Sequence, residues 1–388
     1  MEAYSYNRKD GKVVKTKVDP ELIVDEKIYA NNWVKKFVFP KIEEGSIIEY
    51  SYNLESPYML SLPDWEFQDE IPTMYSQYSV SMIPFYEYVF TTQGIDTLDV
   101  QEVIESKEQK SAGKILSASG QNMGPLAVYN ERKYVYGLRD VEAFRDEKYI
   151  TSRNDYIKKI DFQLSNIYNV GTQVSDQYES LAQAEVIMTS WPQMVEDLFD
   201  QEYFGDYLED CEKEAKKLLK SEISLEGMAD EKKARTLIEY IKNNITWDGY
   251  RGVFANKSPK ELIEQKTGNV AEINLFMNVL LNTAGITAHP VMLSTRDHGK
   301  VNYQYPFLRY FNYVVTLVSI GNSSFLADGS DPDIGYKRIP PQTINEQGLI
   351  IDKDNVGWVR LDSKILSRNN KLITIELDAA KLMAECHV

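Results

Sequence analysis

Groups able to act as nucleophile, base or metal ligand are few in this 388-residue chain, and their placement limits the chemistry open to it. The cysteines are Cys211 and Cys386; the histidines are His289, His298 and His387. Two cysteines make neither a disulfide framework nor a cysteine metal site. The histidines form no His-x-x-x-His pair, and three scattered imidazoles argue against a zinc enzyme. No cofactor is implied. Cys211 recurs with Leu208, Ala215 and Leu218 at helical spacing, so it reads as a small buried hydrophobe rather than a catalytic thiol. Ser294, Asp297 and His298 place a hydroxyl, a carboxylate and an imidazole in one short segment. They could serve as nucleophile, orienter and base, although a single loop seldom gives the opposed geometry a triad needs. Arg296 and His298 stand before Gly299 in a polar loop, either solvated or ligand-binding. Asp328 precedes Gly329 and is either a turn former or an acid with a chemical role.

These groups need elements to hold them. Ser258-Pro259-Lys260-Glu261 is a capping box with Pro at the first helical position. The apolar residues Ile273, Phe276, Met277, Leu280 and Leu281 predict a helix over 270–284, stopped by Gly285. Strands are expected over 286–293, 311–320 and 325–327, so helices followed by strands suggest an α+β domain. Upstream the chain is rich in Tyr and alternates with period two. Ile48, Tyr50, Tyr52 and Leu54 suggest a strand with one well-buried face, as do Ile160, Phe162 and Leu164. The polar stretch 101–124 reads as an exposed hairpin or loop. Ser190-Trp191-Pro192-Gln193 marks the change to helix. Val356, Trp358 and Arg360, then 372–377, read as the start of a further β module. The expected organisation is a β-sandwich over 1–185, an α+β domain over 186–338 and the beginning of a β domain over 339–388.

Lys and Arg number 43 against 59 Asp and Glu, a net charge of −16. Nucleic acid is therefore a poor partner, because phosphate binding needs clustered cations. The 43% hydrophobic content supports folded cores and excludes wholesale disorder. No apolar run approaches the roughly 18 residues that cross a bilayer, and the first residues lack the pattern of a signal peptide.

A helix start followed by two strands is also the order used by papain-like thiol enzymes. There a Cys at the helix N-terminus is stabilised as thiolate, a His on a facing strand takes the proton, and an acid orients the His. Lys266-Thr267-Gly268-Asn269-Val270-Ala271-Glu272-Ile273-Asn274-Leu275 resembles the nucleophile segment of bacterial transglutaminase-like domains, Gly-x-Cys-x-(Asp/Glu). The stretches 281–291, 294–299 and Phe311-Asn312-Tyr313-Val314-Val315 resemble the elements that follow it. Gly45-Ser46-Ile47-Ile48-Glu49-Tyr50, Asp64-Trp65-Glu66-Phe67-Gln68 and Ile71-Pro72 resemble the β-rich domain of unknown function that precedes such domains.

The resemblance implies a papain-like fold, an origin in a longer bacterial protein, and a periplasmic or cell-envelope setting. It puts the family's Cys at Val270 and its His at Asn312, leaving only Asp328 of the acid's type. The expectation is a catalytically silent transglutaminase-like module that binds or scaffolds, with a peptide or other amide-bearing chain as ligand. Trp247, Asn269, Val270, Arg296, His298 and Asn312 are the candidate binding residues; Trp247 could equally be core. The alternatives are an active hydrolase or acyltransferase using Ser294 and His298, and a purely structural β-rich envelope protein.

Overall fold

The computed structural model describes residues 1–29, 32–54, 62–112, 115–116, 122–124, 127–148, 150–169, 183–187, 190–362, 371–378 and 383–387. The chain divides into two units: residues 1–194 with 247–251 and 302–309, and residues 195–246, 252–301 and 310–388.

The first unit is built from strands. β1 (Glu2–Lys9), β2 (Lys12–Lys17), β3 (Val24–Tyr29), β4 (Asn32–Lys36) and β5 (Ile47–Ser51) come first. They are followed by β6 (Trp65–Glu66), β7 (Thr73–Met82), β8 (Tyr86–Gln93), β9 (Val100–Ala112), β10 (Ile115–Leu116), β11 (Asn122–Gly124), β12 (Ala127–Val141), β13 (Lys159–Asn169) and β14 (Gln183–Val186). β12 lies between β7 and β9, and β13 pairs with β6, β8 and β14, all antiparallel. Tyr136 and Leu138 of β12 cluster with Ile160 and Phe162 of β13 around Phe67. Two sheets thus share one core, the sandwich expected from the alternation of Ile160, Phe162 and Leu164.

One expectation in this half is corrected. β5 forms and pairs with β1, but Ile48, Tyr50, Tyr52 and Leu54 are all exposed. Tyr50 instead stacks on Tyr52 and meets Phe37 and Phe39 edge-on or tilted, an aromatic surface rather than a buried face. Over 101–124 the hairpin alternative holds: residues through Ala112 extend β9 antiparallel along β12, and β10 pairs with β11. β9 is an edge strand of its sheet, and an edge tolerates Glu- and Lys-rich sequence that an interior strand would not.

The second unit begins within α1 (Trp191–Phe199) and continues through α2 (Tyr207–Ser221), α3 (Asp230–Asn244), β15 (Thr246–Trp247), α4 (Pro259–Gln265), β16 (Thr267–Gly268) and α5 (Val270–Thr283). β17 (Thr287–Leu293), β18 (Tyr313–Ile320), β19 (Ser323–Ala327), β20 (Gln347–Ile350) and β21 (Gly357–Arg360) follow, then β22 (Thr374–Asp378) and β23 (Met383–His387). The antiparallel sheet runs β19-β18-β17-β20-β21. The boundary expected at 339 is therefore corrected. β20 pairs with β17 through Val291–Ile350 and Met292–Leu349, so Trp358 and its neighbours complete the central sheet rather than open a new module.

α5 is the axis of this unit. It packs on α2, α3 and α4 and on β17 and β18, and every residue from Val270 to Leu281 is buried. Ser258 caps α4 in a reciprocal capping box with Glu261, and Gly285 ends α5 with a φ of +82°. Before α2, a π-helical turn at Glu202–Asp206 brings Gly205 against α1. A Cβ at Gly205 would stand 1.8 Å from the Phe199 carbonyl oxygen, so only glycine fits there.

Candidate functional site

The start of α5 is held by a carboxylate. Asn269 caps the helix, its Oδ1 accepting from the Glu272 N–H at 2.8 Å, while Glu272 Oε2 accepts from the Asn269 N–H at 2.9 Å. Glu272 Oε1 accepts two further backbone N–H groups, from Asn256 and Lys257, each at 2.8 Å. Asn269 Nδ2 donates to the Phe254 carbonyl at 3.0 Å. One buried carboxylate thus joins the helix start to the preceding loop, and both ends of the Asn269 amide are engaged inside the protein. A Cβ at Gly268 would stand 2.3 Å from Leu262 Cδ1 and 2.8 Å from Glu272 Oε2, so a larger residue there would displace both side chains. The Val270 side chain is fully buried.

Asn274 carries the connection to the strands. Its Nδ2 donates to the Val270 carbonyl at 3.2 Å, and its Oδ1 accepts from the Gly329 N–H at 2.8 Å. Beside Gly329 lies Asp328, wholly buried. Asp328 Oδ1 accepts from the Ser330 N–H at 2.5 Å and the Ser330 hydroxyl at 2.6 Å, and Oδ2 accepts from the Tyr313 hydroxyl at 2.7 Å. Burial pushes the Asp328 carboxyl above its ordinary value, opposed by the hydrogen bonds from Ser330 and Tyr313. Lys242, on α3, is also buried and donates to the Ile334 carbonyl. Burial lowers its pKa, and Asp328, Asp331 and Asp333 oppose that shift.

The strand residue facing Asp328 is therefore Tyr313, and the assignment of that role to Asn312 is corrected. Asn312 clamps the turn after β17 instead. Its Oδ1 accepts from the Thr295 N–H and its Nδ2 donates to Thr295 Oγ1, both at 2.8 Å. Neighbouring strand residues point to opposite sides, so a one-residue slip exchanges the two environments.

Ser294 and His298 do meet, at 3.0 Å between Oγ and Nδ1. The Ser294 hydroxyl, however, donates to the Gly299 carbonyl at 2.6 Å. While its single proton lies on that carbonyl, the Ser294 hydroxyl does not donate to His298, so the pair is not set for general-base activation. Asn345 Nδ2 reinforces the turn by donating to the Gly299 carbonyl at 2.9 Å. Ser294 is buried, whereas Arg296 and His298 are exposed in the same loop. Trp247 groups with the first unit, where its indole N–H donates to the Tyr250 carbonyl at 2.8 Å and the Arg251 guanidinium lies 5.9 Å from its ring. Cys211 faces inward from α2, and burial pushes its thiol well up. The side chains of Cys386 and His387 lie outside the described residues. Among the described residues no three His, Cys, Asp or Glu side chains gather as metal ligands would.

A central helix whose first turn abuts a β-hairpin acid is the frame that the sequence resemblance implied, and comparison with known families agrees. Residues 217–363 match the transglutaminase-like superfamily. This segment is a transglutaminase-like domain. Residues 1–125 match DUF3857, a domain of unknown function, so the β-rich region precedes the transglutaminase-like domain as expected. Among solved structures, the chain resembles a protein from Parabacteroides distasonis described as a "putative protease", at 13% identity and a TM-score of 0.56. The match covers 93% of this chain and 61% of that protein, so the present sequence spans less than two thirds of its neighbour's length. A "putative cysteine protease" from Cytophaga hutchinsonii aligns at 12% identity over 76% of this chain and 96% of its own, with a TM-score of 0.26. No curated protein matches the chain. At 13% identity the likeness to the Parabacteroides distasonis protein concerns the fold alone.

Two groups escaped the sequence reading. Tyr313 directly follows Asn312, and residue type alone does not say which of the two faces the acid. Glu272 was signalled by Asn-x-x-Glu spacing, a capping box as regular as that of Ser258.

Proposed function

We propose that the transglutaminase-like domain does not catalyse acyl transfer and serves as a binding or scaffolding module. One observation carries the reading: the residue at the start of α5 is Val270, a buried hydrocarbon with no atom able to form an acyl intermediate. Its surroundings support the same reading. Tyr313 gives its hydroxyl proton to Asp328, and so occupies the acid in the way an imidazole N–H would, but a phenol engaged as donor is no proton acceptor for a nucleophile. The buried thiol of Cys211 lies on another helix with its pKa raised, which disfavours thiolate. Losing the nucleophile or base of a triad can cost on the order of a millionfold in turnover.

The second reading, a hydrolase built on Ser294 and His298, is disfavoured by the direction of the Ser294 hydrogen bond. The test measures ammonia release from glutamine peptides and hydrolysis of fluorogenic peptides by the purified chain. Background rates are expected. A Val270→Cys/Tyr313→His variant should exceed them, while Val270→Cys/Asn312→His should not, because only position 313 faces Asp328. Robust turnover by the unaltered chain, abolished by Ser294→Ala, would overturn the proposal.

A further inference from the structure

The sandwich of the first unit holds a cavity of about 310 Å³, the scale of a small-molecule site. Tyr86, Tyr88 and Phe90 of β8 line one side, and Tyr134 and Tyr136 of β12 line the other. Each set consists of alternate residues of one strand, which point to the same side of their sheet. The space draws on two buried clusters. Tyr136 and Phe162 belong to one, Phe85, Leu164 and Ile167 form the other, and Tyr88 packs against both. Interiors seldom leave voids larger than a water molecule, so a space of this size beside two core clusters is unusual.

Phenols supply most of its polar groups. Tyr88 and Tyr134 are half-buried; neither hydroxyl has a hydrogen-bond partner among the described residues, and neither is sealed inside the protein. The Tyr134 and Tyr136 rings lie within 9° of parallel, their centroids 6.4 Å apart. Burial raises the Tyr88 pKa, and burial with Tyr134 nearby pushes Tyr136 up to about 12. These phenols therefore stay protonated, and each can both donate and accept. One carboxylate and one guanidinium, Glu87 and Arg132, complete the polar lining. Glu87 Oε2 accepts from the Tyr168 hydroxyl and from Asn166 Nδ2, both at 2.6 Å, which holds its carboxyl below the usual range. Arg132 Nε stands 3.8 Å from Glu105.

This lining discriminates among ligand classes. A fatty chain would fill the ring-walled space but leave the Tyr88 and Tyr134 hydroxyls dry and unpaired, which is destabilising. An anion would gain from Arg132 and be repelled by Glu87, and a cation the reverse, so a net charge of either sign has no advantage. A Pro-rich peptide is extended, at about 3.1 Å per residue, and needs a long groove rather than a compact pocket. A neutral polyol ring fits on both counts. Its hydroxyls donate and accept as the phenols do, and its C–H faces make dispersion contacts with aromatic rings.

We propose that this cavity binds one neutral sugar ring, with the Tyr88 and Tyr134 hydroxyls bonded to sugar hydroxyls and a C–H face of the sugar against the aromatic wall. The site belongs to the first unit and goes beyond the reading given for the transglutaminase-like domain, which stands or falls without it.

The test titrates the methyl glycosides of glucose, galactose, mannose and N-acetylglucosamine into the full chain at millimolar concentration. Binding is read by saturation-transfer NMR from the protein to the sugar ring protons. Saturable binding of at least one glycoside is expected, roughly tenfold weaker in Tyr88→Phe and likewise in Tyr134→Phe. Each substitution keeps the ring and breaks no hydrogen bond among the described residues, so both variants should melt with the unaltered chain. That separates a lost ligand contact from a lost fold. The methyl glucuronide should bind more weakly than the glucoside, and hexanol, with one hydroxyl, should displace the sugar poorly. No saturable binding of any of the four glycosides would overturn the proposal. So would binding that both Phe variants leave unchanged, a glucuronide as tight as the glucoside, or displacement by hexanol at equal concentration.

Discussion

Replacing Tyr313 by Phe removes one hydroxyl from the interior and nothing else of consequence to shape. That hydroxyl donates to Asp328 Oδ2 at 2.7 Å and lies 2.9 Å from Ser330 Oγ. A hydrogen bond to an ionised buried group is worth about 1.5–3 kcal/mol, against about 0.5–1.5 kcal/mol for a neutral pair. The loss should therefore depend on whether Asp328 is charged. Its folded pKa is raised above the ordinary 3.8 because burial outweighs its donors. A raised carboxyl contributes stability that is fully present below 3.8 and is lost as pH rises through the folded value. Tyr313 holds that value down, so Tyr313→Phe raises it further and enlarges the loss at neutral pH. We expect a destabilisation of about 2 kcal/mol at neutral pH and about 1 kcal/mol near the unperturbed carboxyl value. For a unit of this size these correspond to drops in melting temperature of about 4–8 °C and 2–4 °C. Calorimetry of the full chain, following the transition that Asp328→Asn also moves, measures both. An equal drop at the two pH values, or a larger one in acid, would refute the reasoning that Tyr313 serves a buried charge.

Glu272→Gln should destabilise by about 2–3 kcal/mol in thermal or urea melts. Its carboxylate accepts three backbone N–H groups, and an amide must turn its own NH₂ toward at least one of them. Cys211 should resist alkylation by iodoacetamide in the folded chain and react in denaturant, as read by peptide mass spectrometry, because burial disfavours its thiolate. Rapid native modification of Cys211 would contradict that placement.

Much of the second unit was legible because its signals are local. Capping residues and Gly285 bracket α4 and α5, and the three strands after α5 fall where their apolar runs do. Which of Asn312 and Tyr313 faces the acid was not legible. Both are polar, the strand begins beside them, and facing depends on register with β17 and β19 rather than on either residue's type. The assignment of β20 and β21 was obscured for a related reason, since partners some sixty residues apart leave no mark on the local pattern. Asn269 stands at the helix start as its type predicts, but Phe254 and Glu272 already use both ends of its amide, which leaves it no part in holding an outside ligand. That the side-chain nitrogen of Asn278 is unpaired among the described residues is not legible from sequence, because it follows from the orientation that Asn282 imposes on the amide.

The burial of α5 from Val270 to Leu281 bears on how this protein must be made. An amphipathic helix can leave the ribosome with one face content in water, but α5 must be covered on every side from Val270 to Leu281, its few polar side chains included. Half of its cover, from β17 through β21, is encoded after it. At about 5–20 residues per second, synthesis from Thr283 to Arg360 takes roughly 4–15 s. During that interval the nascent chain carries a sticky segment that only α2, α3 and α4 can shield. Chaperones that bind nascent chains should therefore be recruited to this stretch during translation. Synonymous codons that slow elongation just beyond residue 283 should lower the yield of folded protein more than the same delay placed before residue 190.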